Sequence, residues 1–209
     1  MDNKQKHFYG CIPSKLDGTE QVVNVDSKIP LPDEFSLRDV MPPVRDQGNT
    51  QTCVCQSLTG VLDYLHNSKV GTDGKCNNFS INTLYNSRSN KPQEGMSIKE
   101  ALKYLKTNGL NGEKINSYAL VPSGEVLKRA LIMFGPVAAG FPVYTDNDPY
   151  FWRKGSNYAG GHCTLVVGFN KTGFIIRNSW GTSWADHGYI TIPYEEYDDA
   201  VFEAWTTIL

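Results

Sequence analysis

Cys53 and His162 are the residues whose types and positions could carry covalent chemistry in this chain. A cysteine attacks a carbonyl only as its thiolate, and an ordinary thiol with a pKa near 8.5 is mostly protonated at neutral pH. Two things correct that: the positive end of a helix macrodipole, and an imidazole that takes the proton. Cys53 stands ahead of Val54, Leu58, Val61, Leu62 and Leu65, a spacing that predicts one apolar helical stripe. The thiol then falls in the first helical turn, behind Thr52 as an N-cap whose hydroxyl would accept a backbone N–H. His162 follows Gly160-Gly161 at the start of a predicted strand, where its ring can face a cleft. Together they would form a thiolate–imidazolium pair.

The other thiols are Cys11, Cys55, Cys76 and Cys163. Cys55 rivals Cys53 as nucleophile but would lie about 200° round the helix from it. Cys163 is expected on the opposite face of its strand from His162. An odd cysteine count does not describe a disulfide framework, and Cys53-Val54-Cys55 is too tight for ordinary zinc-ligand spacing. His66 and His187 have no ligand partner at metal spacing, so no metal and no organic cofactor is expected.

The elements that must position these groups read as helices first and strands later. Ser97-Ile98-Lys99-Glu100 is a capping-box pattern opening a second helix that stops at Asn108-Gly109. A third helix is expected over 123–134, ending at Gly135-Pro136. Residues 163–169 and 174–177 flank Asn170-Lys171-Thr172-Gly173 as a hairpin, with further strands at 188–192 and 201–208. The class is α+β.

Gln47-Gly48, Cys53, Gly161-His162, Asn178-Ser179-Trp180-Gly181 with Trp184, and Gly188-Tyr189-Ile190 occur in an order that resembles the papain family of cysteine peptidases, over residues 31 to about 193. The resemblance implies a two-lobe papain-like fold, with a helical N-terminal lobe (about 45–115) and an antiparallel β-barrel-like C-terminal lobe (about 116–209). The active site would lie in the cleft between them. It implies that Gln47 donates its amide to the oxyanion, that Asn178 accepts the imidazole N–H of His162, and that Trp180 covers that contact. Gly95 and Met96 would form one rim of a substrate pocket, with Gly140, Gly160 and Gly161 as small wall positions. A roomy apolar pocket for large hydrophobic side chains would follow, and the polar stretch 77–91 would be a mobile rim.

The sequence also departs from the family. Thr50-Gln51-Thr52 replaces a Cys-Gly-Ser run, so the disulfide usual beside the nucleophile cannot form, and Val54 stands where an aromatic is common. Gly161 replaces an acidic residue. The interval from Cys53 to His162 is shorter than the roughly 130–150 residues typical of the family, so loops are trimmed.

Residues 1–30 read as an N-terminal extension ahead of a peptidase domain at 31–209, too short for the family's helical prosegment. Tyr9-Gly10-Cys11-Ile12-Pro13 resembles the short opening of some prokaryotic papain-like enzymes, and residues 8–28 are expected to block the active site in part. With 20 basic and 22 acidic residues among 209, the charge gives no reason to expect nucleic acid, and no apolar run approaches the roughly 18 residues that span a bilayer. The polar start, with no apolar segment behind it, predicts a cytoplasmic chain acting on protein or peptide substrates. Rival readings are a Cys–His amidase of peptidoglycan peptides and a non-catalytic papain-like binding protein.

Overall fold

The computed structural model describes residues 7–71 and 78–208; Cys76 and Asn77 lie outside them. The first long helix, α1, runs Cys53–Val70. It buries Gln56, Ser57, Thr59 and Asp63 as well as the predicted stripe, because it is covered on more than one side. It ends where Gly71 takes a left-handed conformation (φ 71°) and donates its N–H to the Asn67 carbonyl, a position that favours glycine. The expected Thr52 cap does not form. Its hydroxyl instead meets Thr50 Oγ1 at 2.7 Å and the Gln56 amide at 3.2 Å, which leaves the first-turn N–H groups free of side-chain capping.

Two shorter helices pack against α1: α2 (Ile81–Asn86), capped by Ser80, and α3 (Ile98–Thr107). Ser97 accepts the Glu100 N–H, which is half of a capping box; the Glu100 carboxylate turns away to the Ser89 N–H. The third predicted helix is α4 (Glu125–Phe134), and a short α5 (Tyr194–Ala200) has no sequence counterpart above.

The strands are β1 (Phe35–Ser36), β2 (Ser117–Leu120), β3 (Val137–Tyr144), β4 (Tyr158–Phe169), β5 (Gly173–Arg177), β6 (Tyr189–Pro193) and β7 (Glu203–Ile208). They form one antiparallel sheet in the order β2-β7-β3-β4-β5-β6, with β1 also paired to β4. β4 starts five residues before the expected 163, so His162 lies inside a strand. The β4–β5 turn closes as the spacing suggests: Asn170 Oδ1 accepts N–H groups from Thr172 and Gly173. The two sheet faces bury separate cores. One holds α1 and α3 side chains with Leu165 and Val167, and the other holds Leu127, Phe141, Phe151, Phe174 and Tyr197.

Two arginines, Arg177 buried and Arg45 partly so, pin the loop that precedes α1. Arg177 donates to the carbonyls of Pro42 and Pro43 at 3.0 and 2.8 Å. Arg45 pairs with the fully buried Asp63 at 2.5 Å, and Asp63 also accepts the Asn78 and Phe79 N–H groups. Burying a carboxylate is unfavourable unless its lone pairs are satisfied, and here each oxygen has a donor. The loop carrying Gln47 is therefore held rigidly against α1.

Candidate active site

His162 is completely buried, and its Nε2 lies 2.7 Å from Asn178 Oδ1. Asn178 Oδ1 also accepts the Ser179 N–H at 2.7 Å, so it is the acceptor and the imidazole Nε2 carries the proton. That leaves Nδ1 as the basic atom, and among the described residues it has no hydrogen-bond partner. Trp180 stacks on the ring at 4.7 Å between centroids, and Phe151 meets it edge-on at 5.5 Å. These aromatic walls keep water from the His162–Asn178 bond, which strengthens it. Cys53 opens α1 with its sulfur against the backbone N–H groups of Cys163, Gly10 and Val54. Cys163 is the neighbour of His162, so the strand that holds the imidazole also backs the thiol.

Gln47 is fixed from the same motif. Its backbone N–H donates to the Ser179 carbonyl at 2.8 Å, and the Ser179 hydroxyl donates to Gln47 Oε1 at 2.7 Å. With Oε1 so occupied, Nε2 points into the cleft, where it donates to the Phe8 and Thr50 carbonyls, both at 2.8 Å. Asn178 and Ser179 thus orient the two catalytic candidates on opposite sides of the groove.

A family model described as papain family cysteine protease matches residues 112–204, which contain His162 and Asn178. Cysteine proteinase 3 of Entamoeba histolytica is 30% identical, over 77% of this chain and 62% of that protein. Xylellain, a cysteine protease from Xylella fastidiosa, shares the fold at a TM-score of 0.81 and 21% identity, covering 100% of this chain and 98% of that one. Digestive procathepsin L2 of Tenebrio molitor superposes at 0.77 with 20% identity, covering 97% of this chain and 78% of that one. The family match, the relatives and the shared fold together support a papain-like cysteine peptidase. The chain spans about three-fifths of the length of the curated relatives it matches.

In this papain-like protein the cleft is filled by its own N-terminal segment. Cys11 donates its N–H to the Gly161 carbonyl (2.9 Å), Met96 donates to Gly10 (2.8 Å) and Ile12 donates to Met96 (3.1 Å). The pairing of Cys11 with Met96 is parallel. The Tyr9 ring stands edge-on to His162 at 6.4 Å, and His7 stacks on Trp180 at 4.8 Å. Four of the expected pocket residues, Gly95, Met96, Gly160 and Gly161, touch this segment, and Trp180 touches it too. A Cβ on Gly161 would come within 2.3 Å of the Cys11 carbonyl, so that glycine admits the chain.

Gly140 does not behave as an open wall. A Cβ there would meet the Phe202 ring at 2.4 Å, so Phe202 occupies that space. The Glu203 carboxylate, buried beside Cys11, accepts the Ser14 N–H and the Trp205 indole N–H. The expected roomy apolar pocket is therefore narrowed by an aromatic ring and bordered by an acid. Neither residue was signalled by local pattern, since Glu203 opens β7 and Phe202 immediately precedes it, at the far end of the chain.

With the segment in place burial disfavours the charged form of both groups. Burial pushes the Cys53 thiol up to about 12, outweighing the N–H groups that favour its thiolate. Burial likewise pushes His162 down to about 4, against the Asn178 hydrogen bond that would raise it. The expected thiolate–imidazolium pair belongs to the uncovered cleft. Since Gln47 Nε2 is the fixed donor at the carbonyl position, Gln47→Ala should lower kcat by about 100- to 1000-fold with a smaller change in KM. Steady-state kinetics on a peptide amide would check this; an unchanged kcat removes Gln47 from the oxyanion site.

Proposed function

We propose that this chain is a cysteine endopeptidase, held inactive while its N-terminal segment lies in the cleft. The observation that carries the reading is a peptide carbonyl, that of Phe8, already bound by Gln47 Nε2 beside Cys53 and His162. A substrate carbonyl bound there would be attacked by the Cys53 thiolate, its oxyanion received by the Gln47 amide and the backbone N–H at the helix start. His162 would give its Nδ1 proton to the leaving amine, producing a thioester. Water, deprotonated by the same nitrogen, would then release the acid.

The segment itself resists this chemistry because of what it presents. The group facing the Cys53 sulfur is the Gly10 N–H, a donor, while the carbonyl at Gln47 belongs to a residue two positions away. Residues beyond it are anchored to the body: Lys99 pairs with Asp17 and Glu20, Val23 is buried, and residues 21–23 pair with Leu120. The block thus lies in residues 7–13, with 14–25 as its mooring.

The proposed substrates are proteins and peptides, and the proposed setting is the cytoplasm, where the free thiols Cys11, Cys53, Cys55 and Cys163 persist. Denatured casein and purified peptidoglycan offered to the full chain, with an epoxide thiol trap as a parallel probe, test the reading. Casein cleavage and epoxide labelling at Cys53 are expected. Labelling with cleavage of peptidoglycan peptides alone would move the chain to the amidases, and no labelling after release of the segment would make it a binding protein.

A further inference from the structure

The segment brings a second thiol into the cleft. Cys11 is 4% exposed and Cys163 is fully buried, and both belong to the cluster that contains Cys53 and Met96. The Cys11 N–H is bonded to Gly161 on β4, and residues 161 and 163 project to the same face of that strand, because side chains alternate. The Cys163 side chain therefore lies on the side of the segment, away from the His162 ring, in the same buried cluster as Cys11. Both are free. Neither is used by the proposed peptidase chemistry.

We propose that Cys11 and Cys163 are a dithiol that closes to a disulfide and staples the N-terminal segment into the cleft. A disulfide requires a Cα separation of roughly 4.4–6.8 Å, and Cys11 is bonded to β4 only two residues before Cys163, on the face that Cys163 shares. The nucleophile is left reduced and protected beneath the staple. This rests on the reading that residues 7–13 occupy the cleft, but not on the chain being an active peptidase.

The oxidant is a low-molecular-weight disulfide, RSSR, such as oxidised glutathione. While the segment is lifted, the Cys11 thiolate attacks one sulfur of RSSR, forming a mixed disulfide and expelling RS⁻. When the segment returns, the Cys163 thiolate attacks the Cys11 sulfur, forming the Cys11–Cys163 bond and expelling the second RS⁻. The two protein thiols lose two electrons, RSSR gains them, and the two thiol protons end on two RSH. In the docked state the neighbouring Cys163 thiol, and then burial, hold the Cys11 thiol well above its usual range, so the first step belongs to the lifted state.

The test is incubation of the full reduced chain, and of its Cys53→Ser variant, with oxidised glutathione, followed by alkylation, trypsin digestion and mass spectrometry. Both should yield a linked pair of tryptic peptides, one containing Cys11 and the other Cys163, that separates on reduction. Epoxide labelling of Cys53 in the linked wild-type chain should be at least about tenfold slower than in the reduced chain and should recover with dithiothreitol. Absence of the linked pair in Cys53→Ser, or Cys11 joined to Cys53 in the wild type, overturns the proposal. If the linked pair forms but the reduced chain cleaves no peptide, the dithiol stands and the peptidase reading falls.

Discussion

Cys53→Ser is expected to lower kcat/KM for peptide hydrolysis by about 10⁴-fold or more, while Cys55→Ala leaves it within about threefold. The two thiols have only Val54 between them in sequence, yet their surroundings differ. Cys53 opens α1 at the end of the macrodipole, next to three backbone N–H groups and to the strand that carries His162. Cys55 points into the helical core, where its thiol donates to Met96 Sδ at 3.7 Å and burial holds it protonated. An oxygen nucleophile at 53 would be a far weaker partner for a neutral imidazole, because its proton is so much harder to remove. Both variants should be compared with wild type by thermal melting, since Cys55 is packed and its truncation costs some stability. Retained hydrolysis in Cys53→Ser, or its loss in a Cys55→Ala chain that melts normally, would transfer the role and sink the present assignment.

The second large effect is release of the segment. Removing residues 1–13 should raise the epoxide labelling rate of Cys53, and peptide hydrolysis with it, by about 100-fold at pH 7. The cut falls before Ser14, so the Glu203 and Lys99 contacts of the mooring are kept. Gly10→Val tests the same idea without shortening the chain, since a Cβ at Gly10 would come within 2.1 Å of the Gln51 carbonyl and the segment could not lie down. Within the pair, uncovering moves the Cys53 proton to His162 with no net uptake, so the pH dependence of release falls on His7, which burial lowers from its usual 6.5 while it lies on Trp180. The advantage of the covered form is complete above about pH 6.5 and falls as pH drops below it, because the released His7 binds its proton more tightly. The full chain should therefore gain labelling rate, relative to the cut chain, as pH falls from 6.5 to 4.5. A ratio independent of pH, or a cut chain no faster than the full one at pH 7, would dismiss the block.

Much of this architecture was legible because it is written in short-range pattern. The apolar stripe behind Cys53, the Ser97 cap and the Asn170 turn are local devices, and each produces its element. Asn178-Ser179-Trp180-Gly181 was recognisable as a string, yet the work of Ser179 was not, because it is done on Gln47, far away in the chain. Thr52 misled for a related reason: propensity names a capping residue, but Thr50 and Gln56 compete for its hydroxyl. β3 was passed over because a strand buried on both faces lacks alternation. Phe202 and Glu203 reach the cleft only through the pairing of β7 with β3, which no nearby residue announces.

Asn178 and Ser179 brace the groove across its two banks, one grasping the imidazole and the other the amide that faces it. A jaw hinged at that edge would tear both grips each time it opened. The proposed release of residues 7–13 then needs no such jaw: a strip of chain lifts off a trough of constant width while the reacting groups stay still.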